Sequence, residues 1–171
     1  ELQMIKSPLP NANQAFRSPS ILLATWFGAG LMPKAPGTWG SLAALPFAWA
    51  IAAAGGQVAL LIGAVFAFGV GWWASNVYLQ HFGGEDPGPV VIDEVAGQWL
   101  TLAAVAPDPV LFVVGFGLFR LVDIYKPWPV SWADQKVKSG LGIMLDDILA
   151  ALYAGAGLYL VNAAMIQGGW K

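Results

Sequence analysis

Five carboxylates stand in three tight places in this chain, Asp93-Glu94, Asp123 and Asp146-Asp147, and each place borders a run of apolar residues. Charge beside hydrocarbon is costly, and only 11% of the 171 residues are charged, so acids kept there are candidates for chemistry. A second set, Lys34, Arg120, Lys126, Lys136 and Lys138, lies in the loops around the same acids. Clustered oxygen ligands suit a hard cation such as Mg²⁺ and the bases suit a phosphate, so the residue types point to metal-dependent phosphate chemistry.

Each cluster has a plainer reading. Asp93-Glu94 opens a helical pattern, where both carboxylates could merely complement the positive helix start. The pair recurs as Asp146-Asp147 at the start of the last apolar run, and two duplicated acidic starts facing one side favour ligation. Arg120, Asp123 and Lys126 stand at i, i+3 and i+6, the spacing of an exposed ion-pair ladder. Pro127 and Trp128-Pro129 end that helix, so Lys126 leaves it from a rigid exit. Pro33-Lys34-Ala35-Pro36-Gly37-Thr38 makes a turn whose following helix, capped by Thr38 or Ser41, offers unpaired N–H groups to an anion. His81 is the single histidine and reads as a loop residue, which excludes a His-pair site. Glu85 and Asp86 read as loop acids facing the same side, and Asn76 as an interhelical hydrogen bond.

These residues need a scaffold, and the composition says which kind. With 57% hydrophobic residues and 9 Trp, the chain lies outside the balance of soluble domains. The expected fold class is all-α, a polytopic transmembrane helical bundle of about five spans at about 20 residues each, plus a short interfacial or re-entrant N-terminal helix. Apolar runs cover residues 21–32, 42–54, 58–79, 95–106, 110–122 and 148–166; the Gly55-Gly56 turn separates the second from the third, and an amphipathic connection spans 123–144. Residues 1–20 read as a flexible cytosolic tail without a signal peptide, and 21–171 as a single transmembrane catalytic domain. A net charge of -2 gives no support to a nucleic-acid partner; membrane lipids are the expected partners. The chain has no Cys, which removes thiolate nucleophiles and Cys-based zinc sites.

Counting crossings from a cytosolic start places Lys34, Asp93, Glu94, Arg120, Asp123, Lys126 and Asp146 on one side and leaves Lys171 as the only base opposite, in line with the excess of Lys and Arg in cytoplasmic loops. Runs 95–106 and 110–122 amount to roughly 18 to 20 Å of helix against a hydrocarbon core of roughly 30 Å. The favoured reading sinks their acidic ends below the headgroups.

Four motifs stand in order: Pro33-Lys-Ala-Pro-Gly-Thr38, Asp86-Pro-Gly-Pro-Val-Val-Ile-Asp93-Glu94, Phe119-Arg-Leu-Val-Asp-Ile-Tyr-Lys-Pro-Trp-Pro129 and Gly140-Leu-Gly-Ile-Met-Leu-Asp-Asp147. In order and spacing they resemble the phosphatidylglycerophosphatase A family of bacterial inner membranes, over residues 30–155. The resemblance implies a Mg²⁺-dependent lipid phosphatase that converts phosphatidylglycerophosphate to phosphatidylglycerol and inorganic phosphate. It sets the family's acidic positions on Asp93, Glu94, Asp123, Asp146 and Asp147, and its basic ones on Lys34, Arg120 and Lys126.

On that basis Asp93, Glu94, Asp123 and Asp146 are expected to bind one or two Mg²⁺ ions, and Lys34, Thr38, Arg120 and Lys126 to hold the phosphate. Asp93, Asp123, Asp147 and Lys126 are the expected catalytic set, with Asp147 as general base or outer support and Asp123 the nucleophile of a competing aspartyl-phosphate route. A cation channel or transporter would spread its acids along a path through the bilayer. Another lipid phosphate transferase would need Asp-Gly and Asp pairs at fixed helical spacing, which are absent.

Overall fold

The structure, a computed structural model, describes residues 17–170. Among them it is all-helical, without strands: α1 Pro19–Ala24, a 3₁₀ turn Ala29–Leu31, α2 Pro36–Phe82, α3 Ile92–Leu102, α4 Pro109–Tyr125, α5 Val130–Lys136 and α6 Gly140–Gln167. Residues 1–16 of the expected tail lie outside the described residues, and Pro19 already opens α1. The short N-terminal run is therefore a six-residue helix followed by a 3₁₀ turn, with Ile21, Ala24 and Trp26 buried.

A straight helix of 47 residues would reach about 70 Å. α2 does not, because Gly56 at φ 70, ψ -164 breaks it in a region that only glycine adopts at low cost. The chain then doubles back: a methyl group at Gly63 would meet Ile51, and those at Gly40 and Gly71 would meet Val91 and Ile92, neighbours on one short segment. The two arms are thus antiparallel, and the Gly55-Gly56 turn expected from sequence is where they join.

Each arm buries small residues at helical spacing, Gly40, Ala44, Ala48 and Ala52 in the first and Ala64, Ala67, Gly71 and Ala74 in the second. Small side chains let helices approach closely, and dispersion contacts then hold them. What they approach is α3. Nine of its 11 residues are buried, the indole N–H of Trp99 donates to the Ala44 carbonyl at 2.9 Å, and Gln57 Nε2 donates to the Ala103 carbonyl at 3.2 Å. α4 starts cleanly, with Pro109 in its first turn and Asp108 accepting from the Leu111 N–H. Ser139 caps α6, its hydroxyl accepting from the Gly142 N–H, and Asn76 on α2 accepts from the Gly140 N–H at 3.1 Å. Asn76 is the interhelical bond expected of it.

Among the described residues, two helices, Pro36–Phe82 and Gly140–Gln167, are long and apolar enough to cross a membrane. The expected spans at 95–106 and 110–122 become helices of 11 and 17 residues, so length and apolarity mark two helices rather than about five spans. α3 is largely enclosed by the rest of the bundle.

Candidate active site

One end of the bundle collects the chemistry. The start of α2, the start of α3, the end of α4 and the first half of α6 meet there, together with the loop before α3. They enclose a cleft of about 370 Å³ lined by Ala35, Pro36, Gly37, Thr38, Asp86, Gly88, Val90, Asp93, Glu94, Arg120, Asp123, Ile124, Lys126, Asp146 and Asp147. Six of these residues are acids, against two bases, Arg120 and Lys126.

The acids form two overlapping trios. Oxygens of Asp93, Glu94 and Asp147 lie within 4.8 Å of one another, as do oxygens of Asp123, Asp146 and Asp147. Asp147 is the shared corner and is only 2% exposed. Asp93 Oδ1, Glu94 Oε2 and Asp147 Oδ2 are buried without a hydrogen-bond partner. Isolated buried carboxylate oxygens are expensive, so this arrangement calls for a ligand.

The bases cross-link the acid-bearing helices. Arg120 Nη1 lies 2.8 Å from Asp123 Oδ2 and 3.8 Å from Glu94 Oε1, and it donates to the buried Ser41 hydroxyl at 3.5 Å. Gly37 makes room for this group, since a methyl there would collide with Glu94 Oε1. Lys126 Nζ donates to Asp146 Oδ2 at 2.5 Å and to Asp134 Oδ1 at 2.9 Å. Burial pulls the Lys126 ammonium down, but Asp146 and Asp134 outweigh it and hold its pKa above the ordinary value, so it stays charged. Two residues at the cleft have left-handed backbones without being glycine, Ala35 at φ 49 and Lys126 at φ 46, which is strain of the kind found at functional sites.

The family model of phosphatidylglycerophosphatase A matches residues 22–162. The chain belongs to this family. Phosphatidylglycerophosphatase A of Escherichia coli is 39% identical over 146 residues, covering 85% of this chain and 84% of the relative. Phosphatidylglycerophosphatase A of Haemophilus influenzae is 37% identical over 150 residues, covering 87% and 92%. A Bacteroides thetaiotaomicron protein, provisionally named a phosphatidylinositol-3-phosphatase, is 39% identical over 150 residues, covering 78% and 87%. No solved structure matches the chain.

Of the residues that the family resemblance singled out, Thr38, Asp93, Glu94, Arg120, Asp123, Lys126, Asp146 and Asp147 share the cleft. Lys34 does not: it is exposed, one residue outside the lining. The anion-binding start of α2 is also weaker than expected. Pro36 has no N–H, the N–H groups of Thr38 and Trp39 both bond to the Ala35 carbonyl, and no side chain caps the helix. Asp146-Asp147 is not a helix start, because Gly140 through Leu145 are already helical and the pair sits more than a turn inside. Complementing the helix dipole, which acts over the first turn, therefore does not account for it. The exposed-ladder reading also gives way, since the Arg120 and Asp123 side chains are only 15% and 11% exposed and Lys126 pairs with α5 and α6.

Sequence reasoning undervalued two acids. Asp86 lines the cleft from its loop, and Asp134 holds Lys126. The nearness of Asp86 to the Pro-Gly-Pro turn was a usable signal; Asp134 had none. His81 ends α2 rather than sitting in a loop, exposed and bonded to the Val77 carbonyl, away from the cleft lining.

Proposed function

We propose that this chain is a Mg²⁺-dependent lipid phosphatase that hydrolyses phosphatidylglycerophosphate to phosphatidylglycerol and inorganic phosphate, at the cytoplasmic face of a bacterial inner membrane. The observation that carries the reading is the charge imbalance of the cleft, six acids against two bases. A phosphomonoester is itself an anion, and each uncompensated carboxylate about 4 Å away would repel it by about 4 kcal/mol at an effective dielectric near 20. A bound cation would offset that repulsion and make such a cleft habitable for phosphate. The donor set is all oxygen and includes buried oxygens without partners, which fits a hard divalent ion such as Mg²⁺.

Asp93, Glu94 and Asp147 would hold one ion, and Asp123 and Asp146 with Asp147 a second. A divalent ion bound there neutralises charge and makes a coordinated water more acidic. Arg120 and Lys126 hold the non-bridging phosphate oxygens as negative charge grows toward the leaving glycerol oxygen. Asp147 would hold an ion through one carboxylate oxygen and accept the proton of the attacking water on the other. Asp123 suits the nucleophile of an aspartyl-phosphate route less well, because Arg120 already engages its Oδ2, so direct attack by water is favoured.

We read the bundle as multi-pass, with the arms of α2 and with α6 crossing, and α3 and α4 as shorter passes sheltered between them. Lys34, Arg120, Lys126, Lys136 and Lys138 lie toward the cleft end, which supports a cytoplasmic placement. The gathering of the acids at one end also speaks against a channel.

The test is phosphate release by the purified chain from detergent-solubilised phosphatidylglycerophosphate, with Mg²⁺ and with chelator. Release that needs Mg²⁺ is expected. Ion flux without release would move the chain to the transporter class, and faster release from phosphatidylinositol 3-phosphate would change the substrate.

A further inference from the structure

We propose that Asp134 is a positioning residue that acts through Lys126: it shares the ammonium with Asp146 and so keeps Asp146 open to a cation. The inference rests on the metal-dependent reading above. Asp134 belongs to neither acid trio and does not line the cleft, so it is not itself a candidate ligand. It sits on α5, in a segment that the phosphate chemistry does not otherwise use.

The geometry is that of one cation divided between two anions. Lys126 Nζ donates to Asp134 Oδ1 at 2.9 Å on one side and to Asp146 Oδ2 on the other. An ammonium has three N–H donors, and two are engaged here, which leaves one for a phosphate oxygen in the cleft that Lys126 lines. The backbone of Lys126 is fixed by its left-handed φ and by its N–H bond to the Val122 carbonyl, so the side chain works from a set origin. Without the Asp134 charge, Asp146 becomes the sole carboxylate paired with Lys126. The ammonium then settles on Asp146 and competes with a cation for that carboxylate. Asp134 is itself held from behind, since Lys138 Nζ donates to its carbonyl at 3.1 Å and pairs with Glu85 at 3.3 Å.

The experiment measures Mn²⁺ binding to the purified chain in detergent, without lipid substrate, from the paramagnetic resonance of free Mn²⁺. Asp134→Asn is expected to weaken binding about tenfold, within the coupling range of groups that share one hydrogen-bond network. Asp134→Glu, which keeps the carboxylate, is expected to recover most of that loss. In a Lys126→Met background, Asp134→Asn should change binding by less than about twofold, because the residue through which it acts is gone. Equal binding by wild type and Asp134→Asn overturns the proposal. So does a tenfold loss that persists in the Lys126→Met background, which would mean that Asp134 acts by bare charge. No Mn²⁺ binding by the wild type would overturn the cation reading itself, a result distinct from tight binding that ignores Asp134. Thermal unfolding checks that each variant is folded, and Asp134→Ser is read in the same way if the Asn variant is not.

Discussion

Gly37→Ala sets a general rule against a local one. In the middle of a helix, replacing Gly by Ala ordinarily stabilises by about 0.5–1 kcal/mol, which is an upper bound for Gly37 in the first turn of α2. Here the added methyl would overlap Glu94 Oε1 and lie 3.1 Å from Arg120 Nη2, so the carboxylate must move. Glu94 Oε1 is the oxygen that faces Arg120, and forcing a group into a packed interior costs about 1–3 kcal/mol. The net expectation is a loss of stability of up to about 2 kcal/mol. Only the part of the Glu94 and Arg120 displacement that weakens contacts made in the transition state slows phosphate release, and a loss of about 1.4 kcal/mol there would slow it about tenfold. Two assays follow, thermal unfolding in detergent and Mg²⁺-dependent phosphate release. The same substitution made in a Glu94→Ala background removes the collision, and there it should be neutral or stabilising. A Gly37→Ala protein that is more stable than wild type and fully active would refute the packing of Gly37, Glu94 and Arg120 described above.

Asp147→Asn removes the corner common to both trios and should lower phosphate release by about 10²-fold or more, with no recovery at high Mg²⁺. Lys34→Ala, altering an exposed residue outside the lining, should raise KM less than about tenfold and leave kcat unchanged, as read from full saturation curves. Gly56→Ala places a side chain in a glycine-only conformation and should destabilise by about 1–3 kcal/mol, seen as a lower unfolding temperature, although nothing lies within 4 Å to be struck. Chelation should abolish phosphate release and added Mg²⁺ restore it; full activity in excess chelator would rule out the metal reading.

How much of this was legible in the sequence differs from residue to residue. The acids and Arg120 stood out because charge beside long apolar runs has few structural excuses, and Gly55-Gly56 because paired glycines between two runs signal a reversal. Sequence spacing reports position along an element, not which neighbour a side chain will meet. Asp134 therefore passed as an ordinary charge of an amphipathic connection, and Lys34 as a cleft residue although it lies outside the lining. The central place of Asp147 was hidden for a related reason. Adjacent residues on a helix point about 100° apart, and only the packed bundle shows that one member of the Asp146-Asp147 pair touches both trios. The count of spans could not be fixed from composition, because apolar composition does not separate a helix facing lipid from one enclosed by other helices, and α3 is of the second kind.

That enclosure sets the terms on which the acid pair of α3 works. A turn of α3 by one residue, about 100°, would aim Ile92 or Val95 where the carboxylates now stand, and the neighbours packed around it prevent this. The stiffness of the charged end is thus inherited from hydrocarbon contacts deeper in the bundle. A detergent or lipid that loosens those contacts would blur the aim of Asp93 and Glu94 while the helices themselves persist.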